Sequence, residues 1–315
     1  MNSRRIFILS CAILILISVP VYFLMNGPSA RIGKVLGNSV NNFYSQKTIK
    51  VSPLPKRNDD ISDPNILAGS VVLMDGNERT ILYSKNPQES VPIASVTKVM
   101  TALVSMDLYG LSDIVEAGDS AVSVAGSKIF LKKGEKMKVE DLLYGLPLNS
   151  GNDAAYALAN GKLSQADFVT KMNEKAKELG MKETEYKDPA GLDDTGRSSA
   201  RDIAFLFTYA LKNETFKKIV STPDAVIQSI DKSETHELKN SNRLTTGEIS
   251  LEGIIGGKTG FTPDAGHGLV SAAVRNAETL ISVVLKTNSN AASASAEESK
   301  KLLDWGFGAF DFNRN

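Results

Sequence analysis

The sequence predicts an α/β domain whose two ends share one sheet, set behind an apolar N-terminal segment. Three observations lead there. Short β-rich runs stand at residues 70–83 and return at 268–287, the stretch between them is patterned mostly as helices, and a last amphipathic helical stretch follows. Strand pair, helices, strand pair, helix is an order that lets one sheet be built from both ends of a domain. No internal repeat at a fixed period interrupts it.

Composition bounds the function. Of 315 residues, 42% are hydrophobic and 23% charged, which is enough apolar mass for one large core or two modest ones. Lys plus Arg and Asp plus Glu are 36 each, so there is no phosphate-neutralising excess and no nucleic-acid partner is expected. One cysteine excludes an internal disulfide, and with two histidines it leaves little for a zinc site. The charge is uneven: residues 1–60 hold eight Lys/Arg against two Asp/Glu, leaving the rest net negative by six. That marks the N-terminal part as a separate piece.

Ile6 to Met25 is a run of twenty uncharged residues preceded by Arg4 and Arg5. As a helix it spans about 30 Å, the thickness of a bilayer's hydrocarbon. A cleavable leader has a shorter apolar part and a small-x-small site, of which Asn26–Ala30 is a poor version. The expectation is a short cytoplasmic tail (1–5), an uncleaved transmembrane anchor (6–25), a flexible linker (26–65) and a folded domain (66–312). Cys11 reads as apolar filler within the span. The linker is rich in Asn, Ser, Lys and Pro without sustained period, suited to holding a domain away from a membrane surface.

Within the domain, Ser70–Met74 and Thr80–Tyr83 read as strands around the turn Asp75-Gly76-Asn77. Val96–Tyr109 carries apolar residues at Val99, Met100, Leu103, Val104 and Met106, so it reads as a nearly all-buried helix, with Gly110 after it. Val139–Leu146, Asn152–Asn160, Gln165–Leu179 and Ser199–Leu211 read as further helices. Gly268–Val274 and Thr279–Thr287 read as a second strand pair, and Ala294–Phe310 as the closing helix.

Ser95-Val-Thr-Lys98 stands at the start of the buried helix. A spacing of three puts both side chains on one face. A lysine held in an apolar setting against a serine can lose its own proton and take the serine's, creating an oxygen nucleophile. Alone the pattern is weak, since Ser229–Lys232 repeats it in a polar stretch that reads as a solvated turn. Ser150-Gly-Asn152 is equally weak alone, and Ser39-Val-Asn41 has the same form. Lys258-Thr-Gly260 follows a Gly-rich turn and starts an apparent β-edge, where an ammonium and a hydroxyl suit a carboxylate. The order Ser-x-x-Lys, Ser-x-Asn, Lys-Thr-Gly carries far more information than its parts.

On those motifs the chain resembles the serine-type D-alanyl-D-alanine carboxypeptidases, the low-molecular-mass penicillin-binding proteins. Pro92–Leu103, Leu148–Ala155, Asp188–Leu192, Ser199–Asp202, Gly257–Thr262 and Leu303–Phe307 extend the resemblance over about residues 68–310. It implies a β-lactamase/transpeptidase-like α/β fold, an antiparallel sheet flanked by helices with an all-helical subdomain. It also implies that Ser95 attacks a D-alanyl-D-alanine stem peptide of peptidoglycan, with Lys98 as base. Ser150, with Lys258 nearby, would pass the proton to the leaving amine, and Asn152 would bind the substrate amide. Lys258 and Thr259 would hold the terminal carboxylate, and the backbone N–H groups of Ser95 and Phe261 would form the oxyanion hole. No cofactor or metal is implied. β-Lactam antibiotics would acylate Ser95, and the catalytic domain would lie on the outer face of a cytoplasmic membrane.

Two departures stand out. Relatives often carry an arginine before the last helix, near the substrate carboxylate. Residues 288–295 contain no basic residue, and the nearest is Lys286. Many relatives also continue into a β-domain and an amphipathic membrane helix, and the expectation here is that the N-terminal span takes the place of that anchor. The alternatives are a class A-like β-lactamase and a membrane-anchored penicillin sensor. The lactamase would need a Glu-x-x-x-Asn motif, yet Lys187 and Pro189 stand four positions after Glu183 and Glu185. His236 lies in the polar run Ser233–Glu237, and His267 follows Gly266; neither spacing resembles a metal pair.

Overall fold

The structure, a computed structural model, describes residues 54–287, 289 and 291–312. The tail, the apolar run 6–25, Ser39–Asn41 and the linker up to residue 53 lie outside the described residues. Among those described, no helix is long and apolar enough to cross a membrane.

Strand β1 (Lys56–Arg57) is followed by β2 (Ser70–Asp75), β3 (Ile81–Lys85) and β4 (Val91–Pro92). A 3-10 turn, Ala94–Thr97, runs into α1 (Lys98–Leu108). Next come β5 (Ile114–Glu116), α2 (Asp119–Ser123), β6 (Lys136–Lys138), α3 (Val139–Gly145), α4 (Asn152–Asn160) and α5 (Gln165–Glu178). After β7 (Arg197–Ser198), α6 (Ala200–Ala210) and α7 (Glu214–Ser221) stands a hairpin, β8 (Asp224–Gln228) and β9 (Thr235–Lys239). The chain ends with β10 (Ile254–Thr262), β11 (Gly266–Arg275), β12 (Glu278–Thr287), α8 (Ala294–Ala309) and β13 (Phe310–Asp311).

Both ends of the domain do share one sheet. Its order is β10-β11-β12-β2-β3, antiparallel throughout. Every residue of β2 is buried, because the sheet is covered on both faces. Val72 and Met74 join the core shared with α1, α3, α4, α5 and α6. Val71 and Leu73 point the other way, into a second core with Leu302 and Leu303 of α8. Double coverage explains why Ser70–Met74 reads as a continuous apolar run and not as an alternation. On the helical side α1 lies at the centre, with Lys98 through Ser105 all buried.

The longer helices lie where the sequence reading puts them. Ser164 caps α5 by accepting from the Asp167 N–H, and Ser199 caps α6 by accepting from the Asp202 N–H. Four features differ from expectation. The last part of the expected linker is docked: β1 pairs with β13, the Arg57 guanidinium lies 5.2 Å from the centre of the Trp305 ring, and Trp305 Nε1 donates to Ser62 O at 2.8 Å. A two-residue strand has no periodicity to detect. Helix α7 was not anticipated, although Asn213 caps it at Phe216 N–H and Phe216, Ile219 and Val220 form its buried stripe.

The hairpin β8–β9 was also missed, because it buries so few residues, Ile227 on one strand and His236 and Leu238 on the other. His236 is therefore no solvated residue: its Nε2 lies 2.6 Å from Glu135 Oε1, and both side chains are buried. Finally, Lys258-Thr-Gly260 lies within β10 instead of opening it.

Candidate active site

The site forms where the 3-10 turn, the start of α4, the loop 188–193 and edge strand β10 meet. Ser95 is half-buried within the turn, and Lys98, the first residue of α1, is only 1% exposed. The spacing of three stacks the two side chains, with Lys98 Nζ 2.8 Å from Ser95 Oγ. Lys98 borders a small cavity lined mostly by apolar residues, among them Leu143, Leu146, Phe216, Ile219 and Val220. Burial pushes the Lys98 amine down to about 7, against the smaller opposing pull of the Asp188 and Asp153 carboxylates.

The other partners of Lys98 decide where its lone pair goes. Nζ donates to Asn152 Oδ1 at 2.7 Å and to Ala190 O at 2.9 Å. The Asn152 orientation is fixed by its Nδ2, which donates to Ala125 O at 2.7 Å. Both oxygens on Lys98 can only accept, so they take two N–H bonds of a neutral amine. The lone pair is left facing Ser95, the one partner of the three that has a proton to give.

A second buried lysine faces a second serine. Lys258 Nζ donates to Ser150 Oγ at 3.0 Å and to Thr259 O at 2.8 Å, with Thr259 Oγ1 at 3.4 Å. Burial holds Lys258 well below the usual lysine range, and the positive charge of Lys98 lowers it further. Ser150 has φ 53°, in the tight approach to α4. Asn152 N–H donates to Ser127 O at 2.8 Å, and both Asp153 oxygens accept backbone N–H groups from Ile129 and Leu131. These bonds fasten the helix start on which Ser150 and Asn152 stand.

Direct contacts thus join Ser95 and Asn152 to Lys98, and Ser150 and Thr259 to Lys258, and the two groups meet along the chain at 150–152. Phe261 is placed differently: its side chain is 57% exposed and stacks on His267 with ring centres 4.4 Å apart. Its backbone is near the turn because of Gly260, whose added Cβ would lie 2.6 Å from Ile93 O and 3.1 Å from Val96 N. Only glycine lets β10 lie so close. Lys286 Nζ pairs with Glu89 Oε1 at 2.9 Å and is not part of this cluster.

The loop 188–193 is the part that motif reasoning left without a role. Asp188 is buried and accepts four backbone N–H groups, from Ala190, Gly191, Leu192 and Asp193, at 2.6–2.9 Å. The curl that results aims the Ala190 carbonyl at Lys98. Thr101 Oγ1 in α1 donates to Pro189 O at 2.5 Å and ties the loop to the helix. Gly191 has φ 76°, and an added Cβ there would lie 1.9 Å from Ala94 O, on the turn itself. Asp-Pro-Ala-Gly carried a turn signal in the sequence; nothing local said what the turn would face. Glu183 and Glu185 are both exposed, and Glu185 pairs with Lys187.

Comparison with known proteins shows the family and the fold. The family model described as D-alanyl-D-alanine carboxypeptidase matches residues 57–289. The D-alanyl-D-alanine carboxypeptidase DacF of Bacillus subtilis is 37% identical over 255 residues, which are 78% of this chain and 63% of that protein. The chain therefore spans less than two thirds of that relative's length. A D-alanyl-D-alanine carboxypeptidase of Streptomyces is 34% identical, covering 78% of this chain and 89% of its own. Among solved structures, the Streptomyces DD-transpeptidase superposes with a TM-score of 0.73 at 32% identity, over 79% of this chain and all of its own. A D-alanyl-D-alanine carboxypeptidase of Mycobacterium tuberculosis does so with a TM-score of 0.73 at 30% identity, over 80% and 96%.

Proposed function

This chain belongs to the D-alanyl-D-alanine carboxypeptidase family, and from that premise we propose that it removes the terminal D-alanine from peptidoglycan stem peptides through an acyl-enzyme on Ser95. The observation that carries the proposal is the buried Lys98 amine, 2.8 Å from Ser95 Oγ and otherwise bound to acceptor-only oxygens. Lys98 takes the Ser95 proton as Oγ bonds to the carbonyl carbon of the penultimate D-alanine. The backbone N–H groups of Ser95 and Phe261 hold the developing oxyanion. The leaving D-alanine nitrogen receives a proton from Ser150, which takes a replacement from the Lys258 ammonium that donates to it, and Lys98 returns its proton to Ser95 when water cleaves the acyl bond. Lys258 and Thr259 bind the terminal carboxylate.

Asn152 has two tasks in this scheme. Its oxygen holds Lys98 and one amide N–H holds Ala125 O, which leaves the other N–H for the substrate. Water then releases the acyl group. Because Glu183 and Glu185 are exposed and neither follows the lactamase pattern, a penicillin acyl group on Ser95 is cleared slowly. The apolar run 6–25 serves as a membrane anchor in this proposal, with a linker after it and the catalytic domain outside the cytoplasm.

The test is D-alanine release from a stem pentapeptide by the full-length chain, beside labelling with a fluorescent penicillin. We expect one D-alanine per peptide, none with Ser95→Ala, and a label that persists for many minutes. Label without D-alanine release would favour the sensor, and rapid loss of label the β-lactamase.

A further inference from the structure

A hydroxyl outside the motifs completes the outer end of the site. Ser241 follows β9, between two buried asparagines. Asn240 donates through Nδ2 to Thr222 O at 2.8 Å and accepts the Asn242 N–H at 2.9 Å. Asn242 accepts the Leu244 N–H at 3.1 Å. With its neighbours turned inward and fixed, Ser241 alone faces outward. Its Oγ lies 2.7 Å from Thr259 Oγ1 and 3.2 Å from Pro147 O, three residues before Ser150. Lys239 N–H also donates to Asn149 Oδ1 at 2.9 Å. The segment 239–241 therefore ties the Ser150 loop to the strand that carries Lys258 and Thr259.

We propose that Ser241 is a positioning residue for carboxylate recognition, one that frees the Thr259 hydroxyl proton for the ligand. This rests on the assignment of Thr259 to the carboxylate. Proton counting gives the mechanism. Pro147 O can only accept, so in the free protein Ser241 donates to it and accepts the proton of Thr259 over the shorter contact. When a carboxylate arrives, Thr259 turns its proton to the ligand. Ser241 then swings its own proton from the long bond with Pro147 O to the Thr259 oxygen. Thr259 stays satisfied in both states, and the bond from Ser241 strengthens it as a donor.

The experiment compares acylation by benzylpenicillin with acylation by its methyl ester on the full-length chain. Acylation requires Ser95 and not D-alanine release, so a chain that labels but frees no D-alanine refutes the carboxypeptidase assignment while the acid-to-ester ratio is still measured. Ser241→Ala is expected to lower that ratio about fivefold, and Ser241→Thr to restore it. Thr259→Ala lowers it as well, and the double variant loses no more than Thr259→Ala alone. An unchanged ratio in Ser241→Ala, losses that multiply in the double variant, or a wild type that does not prefer the acid would each overturn the proposal.

Discussion

The same four-residue pattern, Ser-x-x-Lys, occurs in two regions of this molecule with different outcomes. At Ser95–Lys98 the pattern crosses from a 3-10 turn into α1, the lysine is 1% exposed, and Nζ meets Oγ at 2.8 Å. At Ser229–Lys232 it forms the turn of the β8–β9 hairpin. There Ser229 Oγ donates to Asp231 Oδ1 at 2.7 Å and accepts the Glu234 N–H at 3.0 Å, while Lys232 is exposed with φ 61°. Spacing alone brings two side chains together only on a helix, and a nearby hydroxyl is of no use to a solvated ammonium. Burial does the chemical part, by making the neutral amine accessible near neutral pH.

The contrast can be broken most directly by alanine substitution in each of the two pairs. Lys98→Ala should slow penicillin acylation by at least about a thousandfold, within the range of general-base contributions. Lys232→Ala and Ser229→Ala should leave the rate unchanged, as read by stopped-flow or gel labelling. A loss at Lys232 comparable to that at Lys98 would end the distinction.

A second test addresses what holds the active pair in place. Gly191→Ala forces a Cβ against Ala94 O at a positive φ. It should cost about 2–4 kcal/mol, a fall in melting temperature of roughly 5–10 °C, together with slower acylation. Unchanged melting and labelling would show that the loop does not brace the turn.

The smallest effect is in the pH profile. Lys98 is lowered to about 7, and the neutral amine is the form that accepts the Ser95 proton. Acylation should therefore rise as pH increases through about 7 and fall below it, as an apparent value of the coupled Lys98–Lys258 pair. An acid limb near the ordinary lysine value would contradict the role given to burial.

Much of this was legible in the sequence because it is local or ordered along the chain. Apolar spacing located α1, the stretches Gln165–Leu179 and Ser199–Leu211 located α5 and α6, and the strand pairs announced a sheet made from both ends of the domain. Helix α7 was legible too, through Asn213 and the stripe Phe216, Ile219 and Val220, and was overlooked. The docked segment at β1 and the burial of His236 were not. Two residues of strand carry no period, and the carboxylate that accompanies His236 comes from Glu135, about a hundred residues away.

By itself the sequence determined the chemical inventory: two serines, two lysines, an asparagine and a threonine in a fixed order, with the helix that stacks Ser95 on Lys98. Only the tertiary structure decided that these lysines are desolvated and toward which atom the Lys98 lone pair points. That choice depends on water removed by distant apolar residues, and on acceptors supplied by Ala190 and Asn152, 92 and 54 positions away. Desolvation and donor counting are properties of a packed neighbourhood, and no stretch of chain carries them alone.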